Sequence, residues 1–288
     1  MKAVFRHELD TCFTNLTAYV FGAFLLLFAG IYTMVYNINY AVSNFEYVLS
    51  GMSFIFLIIV PILTMRVLAE EKKQKTDQLL YSLPLTMTQV VLGKYAALLC
   101  MLLLPLAIIC LYPLVLTAFG TVYLPAAYGA ICGFFFLGAA LIAVGMFISS
   151  VTESQAVAAG LCFVVLLLNY FLASLAGFLS EGAGASLAAL ILVALAVALA
   201  IRLMTKNTTV ALLTGTLLCG GLILWYAINS AAFEGLLPEL LEKLSLFELF
   251  YTFVDGVFDL TAIVAFLTVI GVFLFLSVQS MEKRRWSE

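Results

Sequence analysis

The sequence predicts an all-α protein in which about eight helices cross a membrane. Hydrophobic residues make up 65% of the 288 residues, and charged residues only 10%. A soluble domain carries about 25% charged residues, so this chain lacks the polar surface that a soluble fold needs. Its apolar residues fall into runs of roughly 20, the length of a helix that spans a bilayer. Nearly all Lys and Arg residues come to one side when these runs are threaded through a membrane.

Eight apolar runs are candidate spans. They cover roughly residues 16–36, 48–68, 95–119, 127–149, 156–178, 186–204, 209–229 and 260–280. The first run is too long for the apolar part of a cleavable signal, so we expect it to be a retained first span. The sixth and seventh are the least distinct, because only a short polar break separates them.

Orientation follows from the positive residues. Threading eight spans places twelve of the thirteen Lys and Arg residues on one side, and Lys243 is the exception. A six-span arrangement that merges or deletes the pair at 186–229 keeps the same sidedness. Positive residues mark the cytoplasmic side, so we expect a multi-pass protein with both termini in the cytoplasm.

Residues 1–15 predict an interfacial helix that precedes the first span. Phe5, Leu9 and Phe13 recur at helical spacing and form an apolar face. Lys2 and Arg6 would lie near anionic lipid headgroups.

The longest predicted cytoplasmic connection holds a short amphipathic helix. Leu79, Leu80 and Leu83 share one face, and Pro84 ends the helix because its ring clashes with the preceding turn. One interpretation is a helix whose leucines dip into lipid. The other is a docking element that offers its apolar face to a cytoplasmic partner.

A second helix is predicted to start directly after this element. Thr86 and Gln89 form a capping box, and the helix runs from there into the third span. The amphipathic helix is therefore joined to a membrane helix at each end with little slack, a geometry that suits transmission of force.

Two enzymatic interpretations lack the residues that they need. Gly93-Lys94 is followed by Tyr95, and position 88 is Thr where a Walker A motif needs Gly, so we expect no ATP binding of that kind. Glu70-Glu71 and the charges after it approach the Glu-Glu-x-x-x-Arg motif of intramembrane CAAX-type proteases. Those enzymes need further histidines, and His7 is the only one here.

An ion-coupled secondary transporter is the alternative function. Such proteins place ionisable groups near the middle of the membrane. The centres of the candidate spans are almost free of charge here, which favours a protein whose energy arrives through a cytoplasmic partner.

Two stretches of the chain resemble ABC-2-type transporter permeases, most closely the gliding-motility-type branch. The first is Pro61–Lys72 followed by Thr76–Leu85. The second is the C-terminal series Phe247–Phe250, Gly256–Leu260, Phe273–Leu276 and Glu282–Trp286. The resemblance covers about residues 1–178 and 244–288. It implies a bacterial plasma-membrane protein and one permease domain over 1–288, with the pair at 186–229 added to a six-span core.

The resemblance implies that residues 69–85 contain the coupling helix, which sits in a cleft of a separate ATPase subunit. The docking residues carried over are Glu70, Glu71, Thr76, Leu79, Leu80 and Pro84. The chain departs from the family pattern at Lys75, where Gly is usual, and at Gln78, where an acidic residue is usual. The expected partners are that ATPase, a second permease chain and the bilayer, without nucleic acid. ATP and Mg²⁺ would bind to the partner, so this chain would be non-catalytic and without a cofactor of its own.

The external stretch 230–259 has two interpretations. It is either an amphipathic segment at the outer leaflet or, as the resemblance implies, a re-entrant segment near the exit of the transport path. The predicted external gate comprises Phe250, Asp255, Gly256 and Asp259. Asp259 could alternatively cap the final span.

Overall fold

A computed structural model describes residues 2–14, 17–74, 86–178 and 208–287, with a few separate residues between 182 and 202. All the regular elements in this part of the chain are helical, which confirms the predicted fold class. The α-helices are α1 (Lys2–Thr14), α2 (Thr17–Thr33), α3 (Glu46–Ser53), α4 (Phe56–Thr64), α5 (Ala69–Gln74), α6 (Met87–Ile109), α7 (Leu111–Leu116), α8 (Leu124–Val151), α9 (Gln155–Ala176), α10 (Thr208–Ile228), α11 (Leu236–Leu244), α12 (Leu246–Val254) and α13 (Leu260–Ser287). A π-helix, Met34–Asn39, continues α2, and a 3₁₀ turn, Ser230–Phe233, follows α10.

Within the described residues, five helical stretches are long and apolar enough to cross a membrane. They are Ala18–Asn39, Met87–Leu116, Leu124–Val151, Gln155–Ala176 and Leu260–Lys283. A bent pair, Glu46–Ser53 with Phe56–Lys73, makes a sixth if it counts as one span. The predicted count of eight is not confirmed. Leu212–Ile228 is a shorter apolar helix, and most of the run at 186–204 lies outside the described residues.

The bent pair turns by 59° between α3 and α4. The turn follows a Ser-Gly-Met-Ser sequence at 50–53, and the Ser53 hydroxyl donates to the Ser50 carbonyl at 2.7 Å. Small and hydroxyl-bearing residues loosen the backbone ladder of a helix and permit kinks. Pro61 lies within α4, six residues after the break, so it does not make this bend.

Contacts divide the chain into two compact units, residues 1–170 with 246–288 and residues 171–245. The second unit contains α10 and α11. In it Phe233 is fully buried, with its ring centroid 5.2 Å from that of Trp225 and 5.4 Å from that of Tyr226. The prediction of a single permease domain stays a prediction.

Helix α8 is the centre of the first unit. It packs against α3, α4, α6, α12 and α13. Of the residues in an 18-residue apolar stretch of α8, 78% are buried. Two glycines permit close approach. A Cβ atom at Gly138 would lie 2.8 Å from the Leu102 side chain, and one at Gly145 would lie 2.9 Å from Thr64 Cβ. Only glycine leaves room for neighbours at these distances.

Candidate functional site

Helix α5 carries the charge run that precedes residues 75–85. It follows a turn at 65–68, and the predicted docking residues Glu70 and Glu71 lie on it, both partly buried. The other predicted docking residues, Thr76, Leu79, Leu80 and Pro84, lie outside the described residues. The docking role of all six therefore stays a prediction. What the structure adds is the set of contacts that hold the two helices on either side of residues 75–85.

The turn between α4 and α5 is anchored on Ser149 of α8. The fully buried Ser149 Oγ accepts hydrogen bonds from the backbone N–H groups of Leu68 at 3.2 Å and Ala69 at 3.1 Å. The first N–H groups of a helix have no partner within it, so a buried helix start needs such an acceptor. This contact fixes where α5 begins relative to α8.

Lys94 of α6 joins three elements of the first unit. Its ammonium donates to Glu8 Oε1 of α1 at 2.5 Å, to Glu71 Oε1 of α5 at 2.7 Å and to the Val67 carbonyl at 3.1 Å. The Lys94 side chain is only 2% exposed. A buried ammonium is tolerated when its three donors are satisfied and a counter-charge is present, and both conditions hold here.

The neighbouring residue of α5 points to a different helix. The Lys72 ammonium donates to the Ser150 carbonyl at the C-terminal end of α8. The same carbonyl accepts from the Ser280 hydroxyl of α13 at 3.0 Å. A cation at a helix C-terminus is favoured by the helix dipole and by the unpaired last carbonyls. Helix α5 is therefore tied through Glu71 to α6 and through Lys72 to α8.

A polar cavity of about 300 Å³ lies beside Lys94. Its polar lining comes from α1, from the turn before α5 and from α5 itself, and includes His7, Cys12, Arg66 and Glu70. Burial, together with the nearby Glu8 carboxylate, raises the pKa of the Cys12 thiol above its usual value. The accessibility of the Cys12 thiol therefore depends on how closely α1 covers this cavity.

The helix after residues 75–85 begins where the sequence predicts. Thr86 has extended backbone angles, and its hydroxyl accepts from the Gln89 N–H at 3.3 Å, which makes it the N-cap of α6. Residues 75–85 therefore connect two helix ends that are both fixed by named contacts. The Glu71–Lys94 ion pair joins α5 to α6 across 23 residues of sequence, about two turns beyond the start of α6.

The four predicted gate residues lie at or near the break between α12 and α13, in different surroundings. Phe250 is fully buried, and its ring centroid is 5.8 Å from that of Phe134 on α8. Asp255 and Gly256 are exposed, and Gly256 has φ +81°, a left-handed conformation that favours glycine. Asp259 Oδ1 accepts from the Thr261 N–H at 2.7 Å, the geometry of an N-cap for α13. The gate role stays a prediction.

An apolar cavity of about 660 Å³ lies between the π-helix and the α6–α7 region. Its walls are mainly side chains such as Ile108, Leu111 and Val115, with Thr33 and Asn37 as polar members. Walls of this kind can hold an acyl chain or a similar apolar group. The cavity carries no ionisable side chain except the Tyr112 phenol among its lining residues.

The sequence analysis counted Lys94 and Lys72 among the cytoplasmic positive charges, and it gave neither Glu8 nor Ser149 a role in the site. Lys94 offered one signal, because it is a single charge within an apolar helix, and such a charge needs a partner. The identity of its partners had no signal, since Glu8 lies 86 residues away in sequence.

Comparison with known proteins agrees with the resemblance in the sequence. The family model described as ABC-2 family transporter protein matches residues 16–212, which is more than half of the chain. A comparison with curated proteins gives no match. The match includes α2 to α9, and four of the five straight candidate spans, together with the bent pair, lie within it. The chain therefore belongs to the ABC-2 transporter family of membrane proteins.

Proposed function

We propose that the chain is the transmembrane permease subunit of an ABC-2-type exporter, of the gliding-motility-type branch, powered by a separate ATPase. Two permease chains and two ATPase chains would form the working unit, in which the ATPase binds ATP and Mg²⁺ and this chain performs no catalysis. Substrate would pass between the two permease chains. Exporters of this architecture move peptides, lipids, drugs or polysaccharides.

One observation carries the proposal. Residues 75–85 connect α5 to α6. The Glu71–Lys94 ion pair, with 2.7 Å between Lys94 Nζ and Glu71 Oε1, links the same two helices about two turns into α6. A segment held at both ends in this way moves its flanking helices when a partner displaces it, whereas a loose loop absorbs the displacement. The geometry therefore favours a coupling element over a passive interfacial helix.

The wider contacts of α5 provide the route for such a displacement. Through Ser149 and Ser150 it meets α8, the most buried of the five straight candidate spans, and the Ser280 bond adds α13. Movement of α5 would thus reach the centre of the first unit directly. The Lys72 ammonium is buried, so salt screens its interaction less than it screens a surface ion pair.

The proposed orientation has both termini in the cytoplasm of a bacterial cell. Counting the bent pair as one span gives six described spans, and an even number puts both ends of the chain on the same side. The basic ends, Lys2 with Arg6 and Lys283 with Arg284 and Arg285, would then lie together on the cytoplasmic side, as positive residues do.

Affinity purification of the tagged chain from its host in mild detergent tests the proposal. We expect a nucleotide-binding ATPase to co-purify, and we expect Leu79→Asp plus Leu80→Asp to abolish its recovery, because two charges would destroy the apolar docking face. Leu240→Asp plus Leu244→Asp is the matched control. It adds the same two charges at exposed positions of α11 and should leave recovery unchanged.

The alternative makes a different prediction in the same system. If the wild-type chain brings down no nucleotide-binding protein and transports alone in liposomes under an ion gradient, it is a secondary transporter and the proposal is wrong.

A further inference from the structure

We propose that α1 and α5 compete for the single charge of Lys94, so that displacing α5 tightens α1 onto α6. Lys94 then acts as a positioning residue that passes the state of residues 75–85 to the N-terminal helix. This role rests on the proposed function, because it is the coupling movement that would displace α5.

The competition follows from the charges. Glu8 and Glu71 both accept from the Lys94 ammonium, at 2.5 and 2.7 Å, so their accepting oxygens are at most 5.2 Å apart. Two carboxylates at this separation repel each other, and one ammonium neutralises only one of them. Glu8 therefore faces a site with no net charge while Glu71 is in place, and a site of charge +1 once Glu71 leaves.

Burial strengthens the electrostatic interactions among Lys94, Glu8 and Glu71. Lys94 is 2% exposed, while Glu8 and Glu71 are 19% and 23% exposed, so solvent and salt screen the three charges only partly. All three Lys94 donors are used, and two of the acceptors, Glu71 and the Val67 carbonyl, belong to the stretch made of α5 and the turn before it. Displacement of that stretch removes both acceptors together and leaves Glu8 as the remaining partner.

Helix α1 is placed to respond. It packs against α6 and α2, and Glu8 is the side chain through which it reaches Lys94. The cavity of about 300 Å³ beside the ion pairs gives the side chains space to rearrange. His7, Arg66 and Glu70 also border this cavity, and they remain unchanged in every variant described below.

The labelling rate of Cys12 measures how tightly α1 is held. Cys12 lines the same cavity, and burial raises the pKa of its thiol, so a maleimide should react slowly while α1 is docked. In the full chain, purified in detergent at pH 7, the other five cysteines are replaced by alanine: Cys100, Cys110, Cys132, Cys162 and Cys219. N-ethylmaleimide is the probe.

The expected rates differ in sign between the two central variants. Glu71→Gln removes the repulsion that Glu8 experiences, so Cys12 should label at least about twofold more slowly than in the unmodified background, the lower end of couplings between contacting residues. Lys94→Met leaves two carboxylates facing each other, so labelling should accelerate by at least the same factor. Loss of Lys94 alone would raise the Cys12 pKa and slow the reaction, so acceleration reports exposure of the thiol.

Lys73→Met is the matched control for Lys94→Met, because it removes an exposed charge of α5 and should leave the rate unchanged. In the double variant Lys94→Met plus Glu71→Gln, Cys12 should label at a rate between those of the two single variants. A Cys12 rate in Glu71→Gln that equals or exceeds the background rate would overturn the proposal, since a purely structural contact can only loosen when one partner is removed. This arm stands even if Lys94→Met does not fold.

The experiment needs no ATPase, so its outcome is separate from that of the co-purification. If labelling responds as expected and no ATPase is recovered, the competition for Lys94 stands and its role in coupling fails.

Discussion

At the residue scale, the ion pairs of Lys94 add little net stability to the fold, but they restrict which arrangements of the helices are possible. An ion pair buried in a protein gains Coulomb energy but loses hydration, and replacing the whole group by apolar residues is often neutral. Removing one partner is different, because the remaining charge is left buried, at a cost of about 3–5 kcal/mol. Arrangements of the helices in which no carboxylate lies beside Lys94 are therefore strongly disfavoured. Ser149 likewise restricts where α5 begins. Among the described residues, its hydroxyl oxygen is the acceptor seen for the Leu68 N–H, which would lose this hydrogen bond if α5 moved.

Asp259 is the residue at which capping and gating can be separated. Its carboxylate accepts from the Thr261 N–H at 2.7 Å, and Asn can make the same bond while Ala cannot. We expect Asp259→Ala to lower stability by about 0.5–2 kcal/mol and Asp259→Asn to leave it nearly unchanged. Thermal unfolding in detergent measures both. Asp255→Ala, a change in the exposed turn nearby, is the control and should have little effect.

If Asp259→Asn is as stable as wild type but transports poorly, the negative charge itself is needed and the gate interpretation gains support. Equal transport by both proteins would leave the carboxylate with a capping role alone.

At the scale of the elements, α8 organises the first unit because its glycines allow other helices to approach closely. Thr64 of α4 packs against Gly145 and is β-branched, and its hydroxyl donates to the Val60 carbonyl at 2.9 Å, so it has little freedom to move aside. The bend between α3 and α4 also belongs to this scale. It lets one chain segment pack against α12 with its first part and against α2 and α8 with both parts.

Gly145→Ala tests this packing. A Cβ there would lie 2.9 Å from Thr64 Cβ, and overpacking of a tight core costs about 1–3 kcal/mol. Alanine gains about 1 kcal/mol in helix propensity over glycine, so the net change should be a loss of stability of up to about 2 kcal/mol. Gly129→Ala on the same helix is the control, because its nearest neighbour is 4.0 Å away, and it should be neutral or stabilising. The proposed packing is wrong if both variants shift the unfolding temperature in the same direction.

At the scale of the whole molecule, the proposed orientation rests on two features: six described spans, if the bent pair counts as one, and the clustering of positive charge. The exception, Lys243, is paired with Glu239 one turn earlier in α11, at 2.6 Å. Both residues are exposed, so the pair contributes little to stability. Glu239 nevertheless neutralises the one positive charge on the side proposed to be external.

Cysteine accessibility tests the orientation. In a background without native cysteines, Glu239→Cys should react with a membrane-impermeant maleimide in intact cells, because α11 precedes the final span. Gln74→Cys, at the end of α5, should react only after permeabilisation. Six spans and eight spans both predict this result. Labelling of the two positions from the same side would refute the orientation.

The sequence alone determined that the chain is a helical membrane protein, where most of its spans lie, and where α6 begins. These features depend on local composition, helical spacing and a cap at Thr86, all of which act over a few residues. Its short motifs also indicated the ABC-2 family, and the match over 16–212 confirmed that. The sequence did not predict the bend at 54–55, because the position of a bend depends on how the helices pack against their neighbours.

Only the tertiary structure decided which side chains share the charged end of the first unit. Glu8, Glu71 and Lys94 meet although 86 and 23 residues separate the acids from the lysine. Ser149 reaches the start of α5 across 80 residues. Each contact depends on how α1, α5, α6 and α8 pack, and a buried charge accepts any partner that the packing brings within reach. The sequence therefore placed Lys94 only among the cytoplasmic positive charges, and the fold buried it beside two carboxylates.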